Sequence, residues 1–284
     1  MQSFNISRFF IITLFLSTLF GCKIGELPSW ENEFTFSIMS FNLRFDTVED
    51  GENQWDNRKE ACLDLLRDKA PNIFGIQEGL HSQVTFLEDN LTDYDYVGVG
   101  RDDGHSAGEY SAIYYQRLRF ELLEAGNFWL SETPDEPSLG WDANNIRIVS
   151  WAALKDREFN ENVYVFNTHF DHKGKTAREE SAKLIVEKMA EIVPSGAKVF
   201  LIGDFNVLSG NSALKPILEQ YEDAREYSAK NQSKSYNGWG RWYLNRDIDY
   251  VFYRNAEAMS FQTVAEDYGV PFISDHYPII GYFK

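Results

Sequence analysis

The sequence predicts an α/β (α+β) domain in which short buried strands alternate with amphipathic helices, and three observations carry that expectation. Residues 198–203 form a brief apolar run closed by Gly203, and similar runs recur along the chain at lengths that suit strands. Residues 176–192 place Ala182, Ile185, Val186, Met189 and Ile192 on one side of a helix. There are no internal repeats or low-complexity linker, and 284 residues that are 43% hydrophobic supply a core large enough for one domain.

The first 21 residues stand apart. Arg8 precedes an apolar stretch, 9–20, too short to span a bilayer, and Gly21-Cys22 follows it. This pattern predicts a signal peptide over 1–21 that resembles those of bacterial lipoproteins, with Cys22 as the acylated first residue. Residues 22–33 then read as a polar tether and 34–284 as the folded domain. The expected location is that of an exported, membrane-anchored lipoprotein of a bacterium. With Cys22 assigned to lipid, Cys62 is the one remaining thiol, so no internal disulfide can form and packing must supply stability. Cys62 falls in a helical pattern and reads as core filler.

Along the domain, 34–42 is strand-like. Residues 56–69 carry Ala61, Cys62, Leu65 and Leu66 at helical spacing, closed by Pro71. A strand at 73–77 ends on Glu78. A helix at 82–91 and strands at 94–99 and 111–115 follow, then a hairpin-like 120–130 and a loop rich in proline and acids at 131–145. Strands 147–155 and 163–168 pair across a polar turn. After helix 176–192 and strand 198–203 come a helix near 213–221, a Gly- and aromatic-rich loop, a strand at 248–253 and a closing strand at 278–283.

The formal charge is −17, and removing the signal with Arg8 leaves 26 basic against 44 acidic residues, or −18. Such a chain repels polyanions. Proteins that grip nucleic acid by its backbone need clustered Lys and Arg, and no such run occurs, so any cleavage of nucleic acid is expected to be confined to short or end-bound substrates.

Polar residues collect where the apolar runs stop: Asn42; Glu78; His169 with Asp171 and His172; Asp204 and Asn206; Asp249; and Asp275-His276. Asp204 and Asn206 alternate with Phe205, so a persisting strand would send both to one face and Phe205 to the core. Each position alone has a plainer account, since Asp and Asn build turns and Glu78 suits a helix N-terminus. Together they would be costly to bury unless a metal or partner offsets their charge. The hard oxygen donors, with no cysteine among them, favour Mg²⁺ or Mn²⁺ over zinc.

Ser40-Phe41-Asn42, Gln77-Glu78, Asn167-Thr168-His169, Gly203-Asp204-Phe205-Asn206, Ile248-Asp249-Tyr250 and Ser274-Asp275-His276 resemble, in order, the motifs of the endonuclease/exonuclease/phosphatase superfamily. The resemblance implies a four-layer sandwich: two mixed β-sheets packed face to face with helices on the outside and the site at one rim. Gly100-Arg101-Asp102-Asp103-Gly104, Gly108-Glu109-Tyr110-Ser111 and Thr168-His169-Phe170-Asp171-His172 resemble a bacterial lipoprotein branch near the deadenylase and nocturnin type.

By this resemblance the domain is a metal-dependent hydrolase that cleaves phosphate esters by in-line attack of water. Glu78 is the direct metal ligand, Asn42 supports it and Asp275 completes the shell. His276 is the acid/base group paired with Asp249. Asp204 orients or deprotonates the water, Asn206 holds the water or a phosphate oxygen, and the choice of base between Asp204 and His276 stays open. His169 and His172 would donate hydrogen bonds to the transition state. On the substrate side stand Asp171, Glu109, Arg147 as a phosphate clamp alongside Arg101 and Arg241, and Trp239 in the aromatic loop 236–243. The expected partner is a small, sugar- or lipid-linked phosphate ester bound by a monomer. A secreted nuclease and a non-enzymatic binding lipoprotein are the alternatives.

Overall fold

Twelve strands pair into two six-stranded mixed sheets in the computed structural model, which describes residues 36–229 and 232–284. The signal, Cys22 and the tether lie outside the described residues. The first sheet runs β11 (Ala258–Thr263), β12 (Ile279–Phe283), β1 (Phe36–Asn42), β2 (Ile73–Gln77), β4 (Ile113–Gln116), β3 (Tyr94–Val97). The second runs β5 (Phe120–Trp129), β6 (Ile148–Asp156), β7 (Glu161–His169), β8 (Lys198–Asp204), β10 (Asp249–Arg254), β9 (Glu222–Asp223). The helices are α1 (Trp55–Lys69), α2 (His81–Asn90), α3 (Lys175–Ile192) and the single turn α4 (Lys215–Leu218).

Alternation along β8 builds two of the layers. Phe200 and Ile202 meet Phe36, Ile38 and Phe283 of the facing sheet, whereas Val199 and Leu201 turn outward onto Ala182, Ile185 and Met189 of α3. Phe200 sits at the centre of the inter-sheet core, with ring centroids 5.3 Å from Phe36 and 4.8 Å from Phe283. The four-layer sandwich that the motifs imply is the fold observed.

Each sheet holds one parallel pair at its middle, β1 with β2 and β7 with β8, joined by α1 and α3. A parallel connection returns the chain to the same end, so both pairs finish at one rim. Beneath that rim the sheets are bolted by Asn167. Its Nδ2 donates to Ile76 O and Ala112 O, each at 2.8 Å, and its Oδ1 accepts from Gln77 Nε2 at 2.7 Å. Gly75 leaves room for this amide, since a Cβ there would stand 2.6 Å from Asn167 Cγ.

Two expectations are corrected. Residues 120–129 form one long strand rather than a hairpin, and Gly126 within it makes room for the Trp151 indole: a Cβ would lie 2.8 Å from its Nε1. The helix near 213–221 shrinks to a 3₁₀ turn over Ser212–Leu214 and the one-turn α4, which begins with Pro216 in its first turn. β9 and β11 have no counterpart in the sequence reading.

Candidate active site

Strand register brings the polar strand ends together. Asn42 pairs with Gln77, His169 with Asp204, and Asp249 with Asp204, so three strand ends of the second sheet place His169, Asp204 and Asp249 side by side. Asp275-His276 arrives from the turn before β12 and is fastened by the loop ahead of β10: the Asn237 and Gly238 backbone N–H groups donate to Asp275 O at 2.8 and 3.0 Å. Ser274 Oγ donates to Asn42 O at 2.7 Å, which ties the same turn to β1.

Asp204 Oδ2 is the hub. Asn42 Nδ2 donates to it at 3.1 Å and to Glu78 Oε1 at 3.0 Å, His169 Nε2 lies 3.5 Å away and His276 Nε2 3.7 Å away. Asn206 does not extend the strand: its φ of 53° turns the chain, and Asp204 Oδ1 accepts its backbone N–H at 2.9 Å. The pair therefore builds a turn and also lines the cleft. Asn206 Nδ2 donates to Phe170 O at 3.0 Å and faces His169 Nε2 at 3.0 Å, which assigns the His169 proton to Nδ1. That Nδ1 is buried without a hydrogen-bond partner.

Burial, then Arg147 and Arg101, hold His169 neutral by lowering its pKa well below the usual imidazole range. His276 behaves oppositely. Burial opposes its charge, but Asp249, bonded to Nδ1 at 2.9 Å, and then Asp204 push it up to about 10. Burial and then Asp249 raise the Asp204 carboxyl to about 7, and burial, with Glu78 nearby, raises Asp275 to about 6. Glu78 itself has φ 61°, a conformation that costs a non-glycine residue roughly 1–2 kcal/mol.

The donor set fits a hard divalent cation. Ligand atoms of Glu78, His169 and Asp204 lie within 4.8 Å of one another, as do those of Asp204, Asp249 and His276. Glu78, Asp204 and Asp275 line one cleft, where burial first, and neighbouring carboxylates after it, raise the Asp204 and Asp275 carboxyls.

The cleft, about 440 Å³, collects most of the predicted site: Glu78, Glu109, Arg147, His169, His172, Asp204, Asn206, Asp275 and His276. Arg147 is 4% exposed, its Nε and Nη1 make no hydrogen bond, and its Nη2 lies 3.4 Å from His172 Nδ1. Glu109 is held bidentately by Arg101 at 2.5 and 2.8 Å. Asn42 and Asp249 sit behind the lining as supports.

Four predicted substrate contacts fall outside the cleft lining: Arg101, which is spent on Glu109, the exposed Arg241, Asp171 and Trp239. Asp171 is 2% exposed and accepts the backbone N–H groups of Asn145, Lys173 and Gly174, so it fixes the loop that carries Arg147 rather than facing the cleft. Trp239 turns away from the cleft, onto the Arg58 guanidinium and Phe272, because its positive φ of 59° reverses the chain after Gly238. Arg44, Phe45, Asn145, Tyr236, Arg246 and Ile248 also line the cleft. Tyr236 belongs to the aromatic loop 236–243 and Ile248 to a quoted motif, Arg44 and Phe45 follow directly on the Asn42 motif, and no residue type marks Asn145 and Arg246 in sequence.

Comparison with known proteins agrees with this fold. The sequence matches the Endonuclease/Exonuclease/phosphatase family over residues 39–276. An endonuclease/exonuclease/phosphatase protein from Bacteroides vulgatus is 34% identical with a TM-score of 0.83, covering 88% of this chain and 98% of that one. A mannosyl-6-phosphatase from Bacteroides thetaiotaomicron is 33% identical with a TM-score of 0.82, covering 88% and 100%. The human nocturnin catalytic domain, at 16% identity and TM-score 0.71 over 92% and 99%, shares the fold. Two proteins of Acanthamoeba polyphaga mimivirus match at 30% and 24% identity over 58% and 69% of this chain, and the matches span 63% and 36% of their lengths. The chain belongs to the endonuclease/exonuclease/phosphatase family and is a phosphoesterase.

Proposed function

We propose that the protein is an Mg²⁺- or Mn²⁺-dependent phosphatase of small phosphorylated carbohydrates. The observation that carries this reading is a set of buried donors without a hydrogen bond, Arg147 Nε and Nη1 and His169 Nδ1, in the same cleft as Glu78 and Asp204, whose ligand atoms lie with that of His169 within 4.8 Å of one another. A phosphate and a metal together satisfy both. The volume suits a small ester, and the similarity to a mannosyl-6-phosphatase points to a sugar.

Glu78 and Asp275, with Asn42 orienting Glu78, would hold the cation, which supplies charge neutralisation to the phosphate and the departing oxygen. Arg147 and His169 Nδ1–H bind phosphate oxygens, with His172 at the rim. Asp204, the hub acceptor, takes a proton from the attacking water. Asn206 holds His169 in its tautomer. Asp249 fixes Nδ1 of His276, so Nε2 faces the reacting phosphate as a donor.

The test is release of phosphate by the purified protein from mannose 6-phosphate, p-nitrophenyl phosphate, a small diester, single-stranded RNA and duplex DNA, with Mg²⁺ or Mn²⁺ and with EDTA. Monoesters are expected to be the best substrates, and both EDTA and Glu78→Gln should abolish turnover. Full activity in EDTA would sink the mechanism. Preference for long polymers, with steep loss of binding as salt rises, would install the nuclease instead.

Export and anchoring through Cys22, in a lipoprotein branch of bacterial members related in fold to nocturnin, are part of the same proposal and rest on the sequence of residues 8–22. Labelled palmitate should enter the wild type in a bacterial host and fail to enter Cys22→Ala. Equal labelling of the two would remove the anchor.

A further inference from the structure

We infer that Tyr236 and Arg246 form a leaving-group wall that reads hydroxyl groups by hydrogen bonds and so selects a polyol ester over a nucleotide. The inference rests on the phosphatase reading above and names the part of the substrate that the phosphate-binding side does not touch.

The loop that carries Tyr236 makes a short ladder. Tyr236 is bridged antiparallel to Arg246 on one side and to His276 on the other, with Tyr236 N–H donating to Arg246 O at 2.9 Å and Arg246 N–H returning to Tyr236 O at 3.2 Å. Residues opposite one another on such a ladder share a face, so the three side chains stand in a row. The Tyr236 ring lies 4.8 Å from the His276 ring at 59°, and the Arg246 guanidinium lies 5.4 Å from its centroid. Both flanks of the ring are therefore occupied.

This occupancy decides what the wall can recognise. Stacking on a nucleobase needs an open aromatic face, which Tyr236 does not offer. Phe45, the other aromatic of the cleft, carries the Arg44 guanidinium 4.3 Å above its ring, and Arg44 is pinned by two 2.9 Å bonds to Asp50.

What Tyr236 and Arg246 keep available is polar. Among the described residues the Tyr236 hydroxyl has no hydrogen-bond partner, while Arg246 spends only Nε, on Leu244 O at 3.0 Å, and keeps Nη1 and Nη2. A phenol both donates and accepts, which suits an alcohol, and the guanidinium adds two donors beside it. Both residues line the cleft next to His276, whereas Arg147 and His172 pair with one another around their own loop. A phosphate held at Arg147 and His169 thus directs its ester oxygen and alcohol toward Tyr236.

The test compares two monoesters that share the scissile group but differ in the alcohol: mannose 6-phosphate and p-nitrophenyl phosphate. Tyr236→Phe keeps the ring against His276 and removes only the hydroxyl, and Arg246→Met keeps the stem and removes the donors. Each variant is expected to lower the ratio of kcat/KM for the sugar phosphate to that for p-nitrophenyl phosphate by about 5–10-fold, the scale of one lost hydrogen bond, and mainly through KM. Adenosine 5′-monophosphate should be a poorer substrate of the wild type than mannose 6-phosphate. Equal losses on both esters would mean that Tyr236 acts only through His276 and would overturn the inference while leaving the phosphatase intact, as would AMP matching the sugar phosphate. No turnover on either monoester would remove the phosphatase reading and the inference together.

Discussion

His276→Ala is expected to lower turnover on the preferred ester by at least ~10²-fold, the scale of losing a positioned acid/base group. The expectation rests on an imidazole that the chain holds on both sides, with Asp249 Oδ2 at 2.9 Å from Nδ1 and Asp204 Oδ2 at 3.7 Å from Nε2. Asp249→Asn should act in the same direction and less, since an amide still meets Nδ1 but no longer supports the charge. Turnover is to be measured beside a thermal melt, so that loss of chemistry is separated from loss of fold. Near-wild-type turnover in a folded His276→Ala protein would require another residue for the role.

Arg58→Met is expected to destabilise the domain by about 3 kcal/mol, because it strands several buried carbonyl groups at roughly 1–3 kcal/mol each before relaxation. Arg58 is 1% exposed and donates to Asn53 O at 2.9 Å, Ile273 O at 3.0 Å, Arg44 O at 2.7 Å and Leu43 O. Trp55 and Trp239 flank its guanidinium at 5.1 and 5.6 Å. One side chain thus fixes the residues that follow Asn42 and the one that precedes Ser274-Asp275-His276. Urea unfolding measures the loss, and a change under about 0.5 kcal/mol, the range of ordinary surface substitutions, would refute the role.

The site was largely legible because its residues interrupt apolar runs. Asn42, Glu78, His169, Asp204 and His276 are conspicuous where a strand should give way to a loop, and register does the rest. The supports were not legible for the opposite reason. Asn167 and Gln77 stand in the quoted motifs, but their part in joining the sheets cannot be read until their partners on the facing sheet are known. Arg58 looks like any helix-surface arginine, and its ligand at Ile273 is 215 residues away. Trp239 had the composition of a binding residue but the backbone of a turn.

The bolt at Asn167 has a consequence for how activity is lost. Asn42, Glu78, Asp275 and His276 belong to the first sheet and its loops, while His169, Asp204, Asn206 and Asp249 belong to the second, and the contacts Asn42–Asp204 and His276–Asp249 cross between them. Neither sheet owns a working half-site. A shear of one sheet past the other, by even a fraction of a residue, would misalign every crossing contact at once, much as two halves of a broken key share no partial function. Catalysis in this molecule is therefore a gauge of sheet registration, and a core substitution far from the cleft that lets the layers slip would silence the enzyme before it unfolds it.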